Sequence, residues 1–179
     1  MMNIKEAAKV AIEQVKEQDY PWVDQAQLMA MAEQIEQLSA ESLIDRSTKL
    51  HFTASAFVCQ HGRAFFIEHP YLHRLLLPAG HVEVGETFEE AARREFHEET
   101  GYRLNPSISG QLIDINQHSI PANPAKAEGV HHHIDFRFLF SWNGETSKDS
   151  AELVVHRLTV EQAPEEFRPY YRFDQYDAK

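Results

Sequence analysis

Residues 80–102, Gly-His-Val-Glu-Val-Gly-Glu-Thr-Phe-Glu-Glu-Ala-Ala-Arg-Arg-Glu-Phe-His-Glu-Glu-Thr-Gly-Tyr, constrain this chain more than any other stretch. Thr87 followed three positions later by Glu90 is a capping box, which satisfies two free N–H groups and predicts a helix from residue 88. Gly101 predicts its end, because glycine suits the positive-φ position just past a helix. At about 100° per residue, Phe88, Ala91, Ala92 and Phe96 share a core-facing side, and Glu95, Glu98 and Glu99 fall on that same side. Glu89, Glu90, Arg93 and His97 point the other way, as a solvated face would. Inward carboxylates are costly unless something positive faces them. Three of them at i, i+3 and i+4 converge over one turn, and hard oxygen donors gathered this way suit Mg²⁺ or Mn²⁺. The competing reading is a charged helix end with Glu98 and Glu99 in solvent.

The spacing weighs against that second reading. Gly80, five residues, Glu86, seven residues and then Arg94-Glu95-Phe96-His97-Glu98-Glu99-Thr100-Gly101-Tyr102 resembles the signature of the Nudix hydrolases, with every set position filled. The resemblance implies hydrolysis of a diphosphate linkage in a nucleoside diphosphate joined to another group, with Mg²⁺ as cofactor and Mn²⁺ as a substitute. It implies Glu95, Glu98 and Glu99 as metal ligands, completed by a backbone carbonyl at Ala79 or Gly80, and Arg94 as the partner that orients Glu86 or Glu95. For the general base it leaves Glu95 first, then Glu152, with Asp149 and Glu145 behind it; a solvated loop acid is the competing reading for those three. Markers of the Nudix subfamilies are missing from their expected places, so the substrate stays open.

Around this stretch, residues 3–17 and 23–38 carry apolar residues at helical spacing, with a break at Asp19-Tyr20-Pro21 and a short third helix expected at 39–45. From Leu50 the period becomes two: Phe52, Ala54, Ala56 and Val58 alternate with His51, Thr53, Ser55 and Phe57, and a turn at 60–63 leads to a return strand at 64–68. Further strands are expected at 112–115, 131–140 and 153–158, with turns at Pro121-Ala122-Asn123-Pro124 and Asn143-Gly144 and a short helix near 160–168. Strands on both sides of one helix, without regular βαβ alternation, predict an α+β (mixed α/β) domain. The resemblance sharpens this to a Nudix-type α/β/α sandwich at 48–179, behind a helical N-terminal extension at 1–47. That extension could pack as scaffold, act as a lid, or join two chains in a homodimer.

The strand at 131–140 places Ile134, Phe136, Phe138 and Phe140 on one face and His131, His133, Asp135 and Arg137 on the other. His133, Asp135 and Arg137, with Glu152, are candidates for a polar wall facing substrate; plain solvent exposure is the alternative. Zinc is weighed for the His131-His132-His133 run and set aside, because only two of the three share a face and no further ligand stands at a fixed spacing.

Composition bounds the partners. A net charge of −11 disfavours nucleic acid, whose binding rests on Lys and Arg neutralising phosphates, and with it an RNA-directed role such as decapping. It leaves room for a small phosphorylated or nucleotide substrate whose charge a metal can meet. One cysteine, Cys59, excludes an intrachain disulfide and suggests a reducing compartment. No secretory leader or apolar run of membrane-spanning length is apparent, so no membrane and a cytoplasmic location are expected. A Nudix domain that binds a nucleotide as a sensor or interaction module, without cleaving it, is the alternative function. The intact glutamates speak against it.

Overall fold

The computed structural model describes residues 3–124, 129–142, 144 and 149–176, except the side chains of residues 175 and 176. Helix α1, Ile4–Gln18, begins at Asn3, whose side chain accepts from the Glu6 N–H at 2.9 Å, and ends at Asp19 in the left-handed region. Helix α2, Gln25–Glu36, begins at Asp24, whose carboxylate accepts from the N–H groups of Ala26 and Gln27. The two bury Ala8, Ile12 and Val15 and Leu28, Met31 and Ile35. The helix expected at 39–45 is a run of turns. Ser39 accepts from the Ser42 N–H through its hydroxyl, and Ser42 donates back to the Ser39 carbonyl, an alternative that serine offers the backbone in place of a helix.

Eight strands follow among the described residues. They are β1 Leu50–Phe57, β2 Cys59–Gln60, β3 Arg63–His69, β4 Arg74–Leu76, β5 Ala79–His81, β6 Gln111–Ile120, β7 His131–Leu139 and β8 Val155–Leu158. Helix α3, Phe88–Thr100, lies between β5 and β6 in sequence, and a 3₁₀ helix spans Glu165–Tyr176. One sheet has the order β5-β1-β7-β6; the other has β2-β3-β4, with β8 antiparallel to β3. The expected hairpin is therefore shorter than its sequence pattern. His61 and Gly62, both at positive φ, turn the chain between Cys59↔Ala64 and Gln60↔Arg63, while β1 itself belongs to the other sheet. The switch occurs where Phe57 O accepts from Phe140 N and the next carbonyl, Val58 O, accepts from Phe65 N, since successive strand carbonyls point to opposite edges.

By contact density the chain forms two units: 1–54, 81–91 and 112–137, and 55–80, 92–111 and 138–179. The first unit is centred on Phe52, Phe88 and Phe136, the last two stacked at 3.6 Å between centroids and Phe52 edge-on to both. Its N-terminal helical segment is tied to the strands: Trp22 Nε1 donates to Ile113 O at 3.1 Å and Phe52 N donates to Leu43 O at 2.7 Å. The second unit is centred on Phe65, which meets Phe96, Tyr102 and Trp142 edge-on, with the Arg157 guanidinium over both Phe65 and Trp142. Phe167 and Tyr170 of the 3₁₀ helix are buried there too. Asn143 and Glu145 lie outside the described residues. Among the described residues no helix is long and apolar enough to cross a membrane.

Candidate active site

Helix α3 opens with the capping box in place: Thr87 N donates to Glu90 Oε2 at 2.8 Å and Glu90 N donates to Thr87 Oγ1 at 3.2 Å. It closes at Gly101, with φ +73° and its N–H on His97 O at 2.8 Å. Phe88, Ala91, Ala92 and Phe96 are buried, as the wheel predicts. Arg93 and His97 are not the solvated face expected of them. Arg93 donates to the carbonyls of Asn105 and Ile108 and lies over the Phe140 ring; His97 meets the Tyr102 carbonyl and Asp149. Both hold down the segments that follow the helix, which the wheel, blind to those segments, could not register.

In the second unit Glu95 and Glu99 are half-buried and Glu98 is exposed. Glu95 Oε1 accepts from Arg94 Nη1 at 2.7 Å, and the same nitrogen reaches Glu98 Oε2 at 3.1 Å. Glu99 Oε2 accepts from the Ala79 N–H at 2.9 Å. The Glu95 carboxylate fills the space over Gly80, where a Cβ would collide with it. Glu152, from the segment before β8, donates its N–H to Glu98 O at the last turn of α3. Burial, joined by the charges of Glu95, Glu152 and Glu98, pushes the Glu99 carboxyl up to about 8 against the lowering effect of its Ala79 hydrogen bond. A carboxyl raised by burial and by neighbouring carboxylates, among hard oxygen donors, fits a divalent cation, which would reverse the Glu99 shift. Asp149 is committed elsewhere, to His97 and Arg103. Glu86 lies in the first unit, where it accepts from the Glu83 N–H at 3.0 Å.

His133, Asp135 and Arg137 are also in the first unit, and the last two are not a solvated face. Asp135 and Arg137 are 5% and 2% exposed. Arg137 donates to Asp135 at 3.2 Å and approaches Asp114 at 3.6 Å and His118 at 3.1 Å; Thr53 donates to the other Asp135 oxygen at 2.9 Å. They form a buried, hydrogen-bonded network in which β1 and β7 are covered on both faces. His133 does not join it. It sits with His131 of β7, His51 of β1 and His81 of β5, and one ligand atom each from His51, His131 and His133 lie within 4.8 Å of one another. Two of the three histidines of the run share a face, as expected; what the sequence reading missed is a further nitrogen ligand, which His51 supplies from another strand. His51 and His81 stand far from the triple in sequence, and only strand pairing brings them to it; their signal was the first inward position of β1 and the residue after Gly80.

The family description "NUDIX domain" matches residues 49–176. Over 124 residues the chain is 49% identical to the "Probable DHNTP pyrophosphohydrolase" of Lactococcus lactis subsp. cremoris, covering 69% of this chain and 73% of that protein. Over 75 residues it is 35% identical to the m7GpppN-mRNA hydrolase NUDT17 of Xenopus laevis, covering 42% of this chain and 25% of that one. A MutT NUDIX hydrolase from Burkholderia pseudomallei superposes with a TM-score of 0.50 at 20% identity, over 74% of this chain and 100% of the other, a likeness of fold. With the signature helix, the mixed α/β topology and a family match over most of its length, this chain belongs to the NUDIX family.

Proposed function

We propose that this chain is a Nudix pyrophosphohydrolase that cleaves a phosphoanhydride in a small nucleotide-like substrate with a divalent cation, Mg²⁺ or Mn²⁺, held by Glu95, Glu98 and Glu99 and the carbonyl of Ala79 or Gly80. The observation that carries the reading is the clustering of Glu95, Glu98 and Glu152 about the half-buried Glu99, whose carboxyl is raised to about 8. When bound, the cation supplies neutralisation of phosphate oxygens and acidification of a water. Arg94 spans Glu95 and Glu98 and limits their rotamers, and the Ala79 N–H fixes one oxygen of Glu99. Glu95 is the first candidate to take the proton of the attacking water, since it is the more enclosed; Glu152 is the second.

DHNTP is the first substrate to test, on the strength of the 49% identity to the Lactococcus lactis relative. A panel of DHNTP, dNTPs, ADP-ribose, NADH, dinucleoside polyphosphates and nucleotide sugars with Mg²⁺, followed by product analysis, tests both levels. Turnover of DHNTP with pyrophosphate release is the expected result. Turnover of another member alone would remove the substrate and keep the reaction class. A raised melting temperature with a ligand, and no product from any, would favour the sensor reading.

A further inference from the structure

The histidine cluster of the first unit shares no residue with the carboxylate site, and nothing in the proposed hydrolysis uses it. His51 Nε2 is 3.0 Å from His81 Nε2, and His131 Nε2 is 3.1 Å from His133 Nε2. The tautomers follow from the opposite side of two rings. His51 Nδ1 is 3.2 Å from Thr48 O and His131 Nδ1 is 2.8 Å from Gly129 O; a carbonyl only accepts, so each Nδ1 carries the proton and each Nε2 keeps its lone pair. Those lone pairs face the neighbouring imidazoles. A backbone carbonyl that fixes a histidine's outer nitrogen while the inner one is left basic is the second shell found around metal-binding histidines.

We infer that His51, His131 and His133, with His81 beside them, form a second metal site, selective for a divalent first-row transition ion of the Zn²⁺ class. The donor atoms are neutral nitrogens without a carboxylate among them, a set that suits Zn²⁺, Co²⁺, Ni²⁺ or Cu²⁺ and not the hard Mg²⁺ of the glutamate cluster. Nitrogens bound to one ion at about 2.0–2.1 Å stand about 3–3.5 Å apart. Two of the Nε2 pairs already have that separation, and small rotations bring in the others. His131 and His133 are partly exposed, which gives an ion a way in. His132 points away, its backbone N–H on Lys49 O, and takes no part.

Co²⁺ titrated into the full chain tests the site through its visible d–d bands, which report coordination independently of hydrolysis. The expected result is saturation at about one ion per chain with the bands of a nitrogen-rich, low-coordinate site. The bands should persist in a Glu98→Gln, Glu99→Gln double variant. Affinity should fall at least about tenfold in His131→Gln and in His133→Gln, each checked for folding by near-ultraviolet circular dichroism. Absence of the bands from the native chain overturns the inference whatever the variants do. So does their loss in the glutamate variant, or their survival at full strength in both folded histidine variants.

Discussion

At the scale of single residues, the two sets of titratable side chains are set apart by what surrounds them. Glu99 has carboxylates for neighbours and a folded pKa raised above its ordinary value, so its contribution to stability is present below about pH 4.5 and lost as pH rises through about 8. In EDTA, the stability of the native chain relative to Glu99→Gln should therefore decline between pH 5 and pH 8, by up to ~3 kcal/mol. Urea melts of the two proteins across that range would show it; a difference that does not change with pH would sink it. Saturating Mg²⁺ should flatten the slope if Glu99 is a ligand. Glu98 is exposed, so Glu98→Gln should change stability by no more than about 0.5 kcal/mol. It should still slow hydrolysis by about 10²-fold or more, an effect on kcat that initial-rate kinetics would read. His51 and His133 are shifted the opposite way, burial holding both neutral. Glu95, Glu98 and Glu99 were legible because one helix brings them together. The four histidines were not, because they come from three strands.

At the scale of elements, α3 is the best-specified part of the chain, since its start and stop are local chemistry. Thr87→Ala removes a cap hydrogen bond and should cost about 1 kcal/mol. The glycines at the ends of two turns separate conformational strain from crowding. Gly62 and Gly101 share nearly the same φ, +72° and +73°, yet a Cβ at Gly62 meets nothing within 4 Å while one at Gly101 falls 2.6 Å from Asp149 O. Gly62→Ala should then cost about 1 kcal/mol from φ alone, and Gly101→Ala clearly more, about 2–4 kcal/mol. Equal losses in thermal melts of the two would show that the segment after residue 148 yields freely. Strand β7 shows where element-level reading stops. Its alternation of Ile134, Phe136 and Phe138 with His133, Asp135 and Arg137 was read correctly as two faces, but period-two patterning reports polarity and not exposure. The polar face is buried because Thr53, Asp114 and His118 pair with it.

At the scale of the whole molecule, the N-terminal helices bear on where a functional piece of this chain can be cut. The signature domain was expected to begin at residue 48, and the family match begins at 49. Leu43, however, is fully buried and its carbonyl caps Phe52 N, and Trp22 is bonded to Ile113. A chain starting at residue 48 should lose cooperative melting or several kcal/mol of stability, since it strips cover from β1 and β6; an unchanged melting temperature would return residues 1–47 to the status of a separable appendage. The helix of the signature, the inward placement of Glu95 and Glu99 and the family were legible in sequence, because each rests on spacing within about two dozen consecutive residues, whereas Glu98 of the same turn is exposed. Tertiary structure alone decided that Arg93 and His97 tie down later segments, that Asp135 and Arg137 are a buried network, and that His51 and His81 complete a nitrogen cluster around His131 and His133. The first depends on how the loops after α3 fold back, and the last two on which strand lies beside which; Thr53 and Asp135 stand 82 residues apart and His51 and His81 30, and pairing at such separations leaves no periodic trace in either strand.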